Sequence, residues 1–78
     1  MTLQFFSTLK KFFPGPVTLA LTSPKSVRDI FLEQLELRGV DPAYANFVRF
    51  AVDCEYVSPD TLVTDCHEIA FIPPVSGG

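Results

Sequence analysis

The sequence predicts an α+β fold in which one helix packs across one face of a small mixed sheet, and three patterns carry that expectation. Val17, Leu19 and Leu21 alternate with Thr18, Ala20 and Thr22, the period of a half-buried strand. Val27, Ile30, Phe31 and Leu35 recur at spacings that place them on one helical face. Glu68 to Ile72 is a last apolar run stopped by Pro73 and Pro74, which cannot donate to a ladder.

Taken in order, Leu3 to Ser7 is a first short strand, joined to the strand at Val17 to Thr22 through the turn signal Pro14-Gly15-Pro16. The pair reads as an antiparallel hairpin with Lys10 and Lys11 near its tip. Ser23-Pro24 has the chemistry of a helix start, a side-chain acceptor followed by a residue with no amide to orphan. Gly39 suits the C-terminal cap, so the helix is expected over residues 24–38. Asp41-Pro42 repeats the cap-plus-proline signature before a turn or two of helix in Ala43 to Val48. Phe50 to Asp53 and Tyr56-Val57 are short strands around a tight turn at Cys54-Glu55, and Ser58-Pro59-Asp60 is loop. Two strands, a helix and further short strands with the helix across the sheet make a roll of the β-grasp kind.

Bulk composition bounds the function. With 78 residues there is one domain at most. A content of 47% hydrophobic against 19% charged residues is too apolar for a disordered tail. The net charge of −3, with Lys10, Lys11, Lys25, Arg28, Arg38 and Arg49 scattered along the chain, gives no phosphate-binding stripe. Nucleic acid is therefore not expected as a ligand, and partners are expected to present basic sites. Cys54, Cys66 and the single His67 lack the spacing of paired zinc ligands, so no metal set is expected and the chain reads as reduced and cytoplasmic. Lys10 and Lys11 break the apolar N-terminal stretch, unlike a secretory signal, and no run reaches membrane-spanning length.

The chemistry points to the end of the sequence. Gly77-Gly78 carries no side chains and follows a Pro73-Pro74 stalk, so residues 1–74 read as a body and 75–78 as a flexible tail able to thread a narrow tunnel. Gly-Gly by itself is common in linkers and idle ends. The run Glu68-Ile69-Ala70-Phe71-Ile72-Pro73-Pro74-Val75-Ser76-Gly77-Gly78 is more specific. It resembles the C-terminal signature of the molybdopterin synthase small subunit, within the β-grasp sulfur-carrier family. Phe5-Phe6-Ser7 with Lys10, and Phe50-Ala51-Val52 with Glu55-Tyr56-Val57, are similar to that family's first strand and middle hairpin. The chain departs from it at Asp65-Cys66-His67-Glu68, where Asp-Gly-Asp-Glu is usual, and at Asp53, where Asn is usual.

The resemblance implies a non-catalytic sulfur-carrying subunit. The Gly78 carboxylate would be adenylated by an ATP-dependent adenylyltransferase, converted to a thiocarboxylate, and inserted into the large synthase subunit of a heterotetramer. There its sulfur would pass to a pyranopterin precursor of the molybdenum cofactor. The chain itself would bind no cofactor, ATP being used by the activating enzyme. Pro73, Pro74, Val75, Ser76, Gly77 and Phe71 would contact partners. Carriers for thiamine or transfer-RNA thiolation would share the fold and Gly77-Gly78 but not the Pro-Pro-Val-Ser stretch that tips the balance, a ubiquitin-like modifier would use Gly78 for isopeptide bonds, and a plain interaction domain would leave it idle.

Other residues have plainer readings. Cys66 and His67, as sequence neighbours on an extended segment, point to opposite faces and read as an exposed turn pair, not a nucleophile and its base. Cys54 reads as a small apolar residue beside a turn, and a Cys54–Cys66 disulfide cannot be deduced from spacing. Phe5, Phe6, Phe12, Phe13, Phe47, Phe50 and Phe71 exceed the needs of one sheet face. Phe12, Phe13 and the outward member of Phe71-Ile72 are therefore docking candidates. Asp65 and Glu68, near the end in sequence, are placed to steer the tail toward a basic site, unless they are ordinary solvated charges.

Overall fold

The computed structural model describes residues 1–74. Strands β1 (Thr2–Phe5) and β2 (Val17–Thr18) come first, then β3 (Lys25–Ser26) and helix α1 (Val27–Leu37). Four strands follow: β4 (Arg49–Val52), β5 (Glu55–Val57), β6 (Leu62–Val63) and β7 (Glu68–Ile72). The main sheet has the order β2-β1-β7-β4-β5. β1 and β7 run parallel, Thr2 opposite Glu68 through Phe5 opposite Phe71, and the other pairs are antiparallel. β3 and β6 form a separate two-stranded sheet.

The hairpin is shorter and its connection more ordered than expected. Lys10 and Lys11 lie in a 3-10 helix, Ser7–Lys11, whose Leu9 is fully buried. β2 ends at Thr18, and the backbone pairing with β1 closes one residue further on, where Leu19 N–H donates to Met1 O at 2.9 Å. The helix starts three residues later than its proline suggested. Lys25 and Ser26 pair with Val63 and Leu62, and Ser26, not Ser23, caps the helix, its Oγ accepting from Asp29 N–H at 3.1 Å. Val27 and Arg28 N–H donate to Thr61 O and Pro59 O, so the β5–β6 loop satisfies two more orphan donors.

The helix C-terminus is as the sequence indicated. Gly39 has φ +66°, with Gly39 N–H on Glu36 O at 3.1 Å and Val40 N–H on Leu35 O at 2.9 Å. That is the paired closure which favours glycine at this position. Asp41 caps a second 3-10 helix, Pro42–Asn46, by accepting from Ala43 N–H at 2.9 Å.

The tight turn falls on Asp53-Cys54, one residue earlier than expected, with φ of +47° and +73°. Two positive φ values in a two-residue loop match the twist of a hairpin and favour Asn or Asp first. Asp53 Oδ1 also accepts from His67 N–H at 3.0 Å and Glu68 N–H at 2.8 Å, tying this turn to the start of β7. Asp53→Ala is expected to cost about 1–2 kcal/mol, because two exposed hydrogen bonds worth about 0.5–1 kcal/mol each are lost and alanine is placed at a positive φ. Asp53→Asn, which keeps an acceptor and tolerates positive φ, is expected to cost less than half as much. Urea unfolding of both variants measures the difference, and equal losses would show that the double acceptor contributes nothing.

One aromatic cluster fills the space between helix and sheet. Phe71 lies 4.7 Å from Phe31, 5.2 Å from Phe5 and 5.8 Å from Phe50, centroid to centroid, and Phe13 stacks on Phe5 at 3.9 Å. The offset and edge contacts add to the burial energy. Val27, Ile30, Phe31 and Leu35 supply the helix side, all buried.

Candidate functional site

The geometry that matters is where β7 ends. Phe6 N–H donates to Phe71 O at 3.2 Å on one side, and Arg49 stands opposite Ile72 on the other. Pro73 and Pro74 then offer no amide. Pro73 is buried and Pro74 exposed, so a stalk free of the body begins at Pro74 and not at Pro73. Val75, Ser76, Gly77 and Gly78, including the Gly78 attachment point, lie outside the described residues.

Two of the eight phenylalanines are exposed, and both sit beside this root. Phe6 is 42% exposed directly after β1, and Phe47 is 65% exposed two residues before Arg49. A shallow depression of about 310 Å³ begins one residue beyond Phe47, lined by Val48, Arg49, Phe50, Tyr56, Val57 and Pro59. Arg49 lies over the exposed Tyr56 ring at 5.9 Å. Alternation alone could have indicated Phe6, since Leu3 and Phe5 point inward and Phe6 breaks that pattern.

Several expected contact residues are elsewhere. Phe71 is fully buried and Phe13 is 1% exposed; both are core residues and cannot dock a partner in the folded chain. Ile72, half-buried, is the outward neighbour, and Phe12 packs edge-on against Tyr44 at 5.6 Å. Glu68 opens β7 about 13 Å from Ile72 at its finish, at about 3.3 Å per strand residue, and Asp65 precedes it by three residues. Both therefore lie at the start of β7, away from Pro73.

Cys54 and Cys66 are free, and Cys54 is an exposed turn residue, not an apolar filler. Cys66 is half-buried, its Sγ 3.9 Å from Met1 Sδ. Burial pushes its thiol up from the ordinary 9.0, and the Asp53 and Asp65 carboxylates push the same way against the N-terminal ammonium. Unfolding therefore releases this proton more readily. The stabilisation is whole below the ordinary value and is lost as pH rises through it toward the raised one. Cys54 is expected to alkylate well before Cys66 at pH 8, a difference that disappears in urea; equal rates in the folded chain would contradict the protected thiol. Among the described residues no three His, Cys, Asp or Glu side chains gather to hold a metal.

A single helix laid across a five-stranded sheet, with parallel β1 and β7 side by side at its centre, defines the class: a β-grasp, ubiquitin-like domain. A solved structure with the same fold is the crystal structure of SAMP1 from Haloferax volcanii, 16% identical, covering 99% of this chain and 97% of that one at TM-score 0.74. Curated protein sequences gave no significant match. The chain belongs to the ThiS family, which matches residues 3–78, and it has the ubiquitin-like fold of sulfur carriers and modifiers. Carriers of this type work with partner enzymes. No helix among the described residues is long and apolar enough to cross a membrane.

Proposed function

We propose that this chain is a sulfur carrier, the small subunit of a molybdopterin synthase, with the Gly78 carboxylate as its working group. What carries the reading is the continuity of β7 with the segment Pro73-Pro74-Val75-Ser76-Gly77-Gly78 inside a family match that extends to residue 78. An ATP-dependent activating enzyme would let the carboxylate oxygen attack the α-phosphate, releasing pyrophosphate and forming an acyl adenylate. A sulfur donor would then displace AMP. The thiocarboxylate is a softer and stronger nucleophile than the carboxylate it replaces, as a covalent carrier requires. The body positions the tail and supplies neither acid nor base.

The molybdopterin assignment over thiamine or transfer-RNA thiolation rests on the Pro-Pro-Val-Ser-Gly-Gly ending. Intact-mass measurement of the chain from cells with active sulfuration is expected to show a species about 16 Da heavier, one oxygen replaced by sulfur. Complementation of strains lacking each carrier then separates the pathways. Gly78-dependent covalent ladders on denaturing gels, without the heavier species, would replace this reading by protein modification.

A further inference from the structure

Charge is segregated along β7. At its start, Glu68 is accompanied by Asp65 and by the β4–β5 turn, since Val52 pairs with both Ile69 and Glu55 and Asp53 bonds to the amides of His67 and Glu68. Four carboxylates therefore occupy the end remote from the tail. At the finish of β7, Arg49 stands opposite Ile72. The Phe6 amide bonded to Phe71 O leads directly into the 3-10 helix that bears Lys10 and Lys11.

Arg38 joins these lysines from the end of α1. Its guanidinium donates to Phe12 O at 3.1 Å and lies over the Phe13 ring at 5.2 Å, while the Lys11 ammonium lies over the Phe12 ring at 5.0 Å. Such contacts hold long cationic side chains in place without neutralising them. Among the described residues the ion pair within 4 Å is Lys25–Glu33, so none of these four cations is matched by a contacting carboxylate. In a chain of net charge −3, these four cations lie toward the finish of β7, with Glu36 and Asp41 the carboxylates that flank Arg38 in sequence.

We propose that Lys10, Lys11, Arg38 and Arg49 form a docking surface for an acidic face of the ATP-dependent activating enzyme that receives the tail. The identity of that partner rests on the sulfur-carrier reading; the surface itself does not. Such a partner is attracted by this end and repelled by the Asp53, Glu55, Asp65 and Glu68 end, which orients approach with the tail leading. The proposal differs at this end of the molecule from the expectation drawn from net charge, that partners present basic sites. Nucleic acid fits less well, because four cations without a continuing stripe meet few phosphates and the rest of the surface repels a polyanion.

The test has two arms. The full ¹⁵N-labelled chain is titrated with an eight-residue Asp/Glu peptide, and shifts are expected at Lys10–Phe13, Arg38–Gly39 and Arg49. Affinity should fall at least about tenfold between 50 and 300 mM salt as screening shortens. Lys11→Glu/Arg38→Glu should abolish the shifts, Lys11→Arg/Arg38→Lys should retain them, and a thermal melt of each confirms folding. If the charge-reversed chain fails to fold, Lys10→Glu/Arg49→Glu replaces it. Shifts elsewhere, unchanged binding after reversal, or tighter binding of a single-stranded oligonucleotide of equal charge would overturn the surface. In the second arm, the thiocarboxylated fraction in cells should drop at least about tenfold for the folded reversal variant; an undiminished fraction overturns the partner assignment. No heavier species even in the parent chain would instead count against sulfur carriage, leaving the titration to judge the surface.

Discussion

Phe71→Ala is expected to lower stability by about 3–5 kcal/mol, the usual cost of emptying a buried phenylalanine site. The side chain is fully buried, and its ring sits against those of Phe5, Phe31 and Phe50. Those three come from β1, α1 and β4, so the cavity would open where every major element meets and no single shift could close it. A domain of this size has about 5–15 kcal/mol in total, so a large share of the stability disappears with one side chain. Urea unfolding measures it. The consequence for function is that Phe71→Ala should depress sulfuration in proportion to the unfolded fraction and recover on cooling toward the stability maximum. Phe47→Ser, on an exposed side chain, should leave stability within about 0.5 kcal/mol. A loss below about 1 kcal/mol for Phe71→Ala would mean that the cluster relaxes around the hole, contrary to the close packing expected of an interior.

Phe71 also marks where sequence reasoning succeeded and where it failed. The strand Glu68–Ile72 was legible because a five-residue apolar run ends in two prolines, and the helix end was legible because Gly39 stands where only a positive φ closes the last turn. The inward or outward sense of Phe71 was not. A continuous run shows no alternation when both faces of a central strand are covered, and Ala70, on the other face, is itself buried. The helix start was misplaced for a different reason. Ser23-Pro24 and Ser26 offer the same capping chemistry, and the choice fell to Ser26 because β3 pairs with β6, a contact between residues nearly forty positions apart. The charge layout was invisible for the same reason. Lys10, Lys11, Arg38 and Arg49 are scattered in sequence; the register of β1 and β4 against β7, together with the Arg38 bond to Phe12 O, brings them toward one end.

The tail prediction turns on distance more than on stability. Deleting Gly78, or adding one residue after it, is expected to abolish the thiocarboxylate while leaving the melting temperature unchanged. Among the described residues the core lies between Leu3 and Phe71, so the change is expected to spare the fold. One residue more or less moves the terminal carboxylate by up to about 3.5 Å along an extended chain. A misplacement of about 1 Å can already cost a hundredfold in a positioned reaction, so a shift several times larger should leave no detectable product. Gly77→Val separates register from width: it keeps the carboxylate at its place along the chain but puts a branched side chain where a narrow channel must close around the backbone. If width matters, this variant fails as completely as the deletion. If Gly77→Val is sulfurated normally while the deletion is not, the partner measures length alone and the glycine pair is not a threading device. Normal sulfuration of the chain lacking Gly78 would show that the Gly77 carboxylate serves equally well and that neither Gly78 nor its exact register is required.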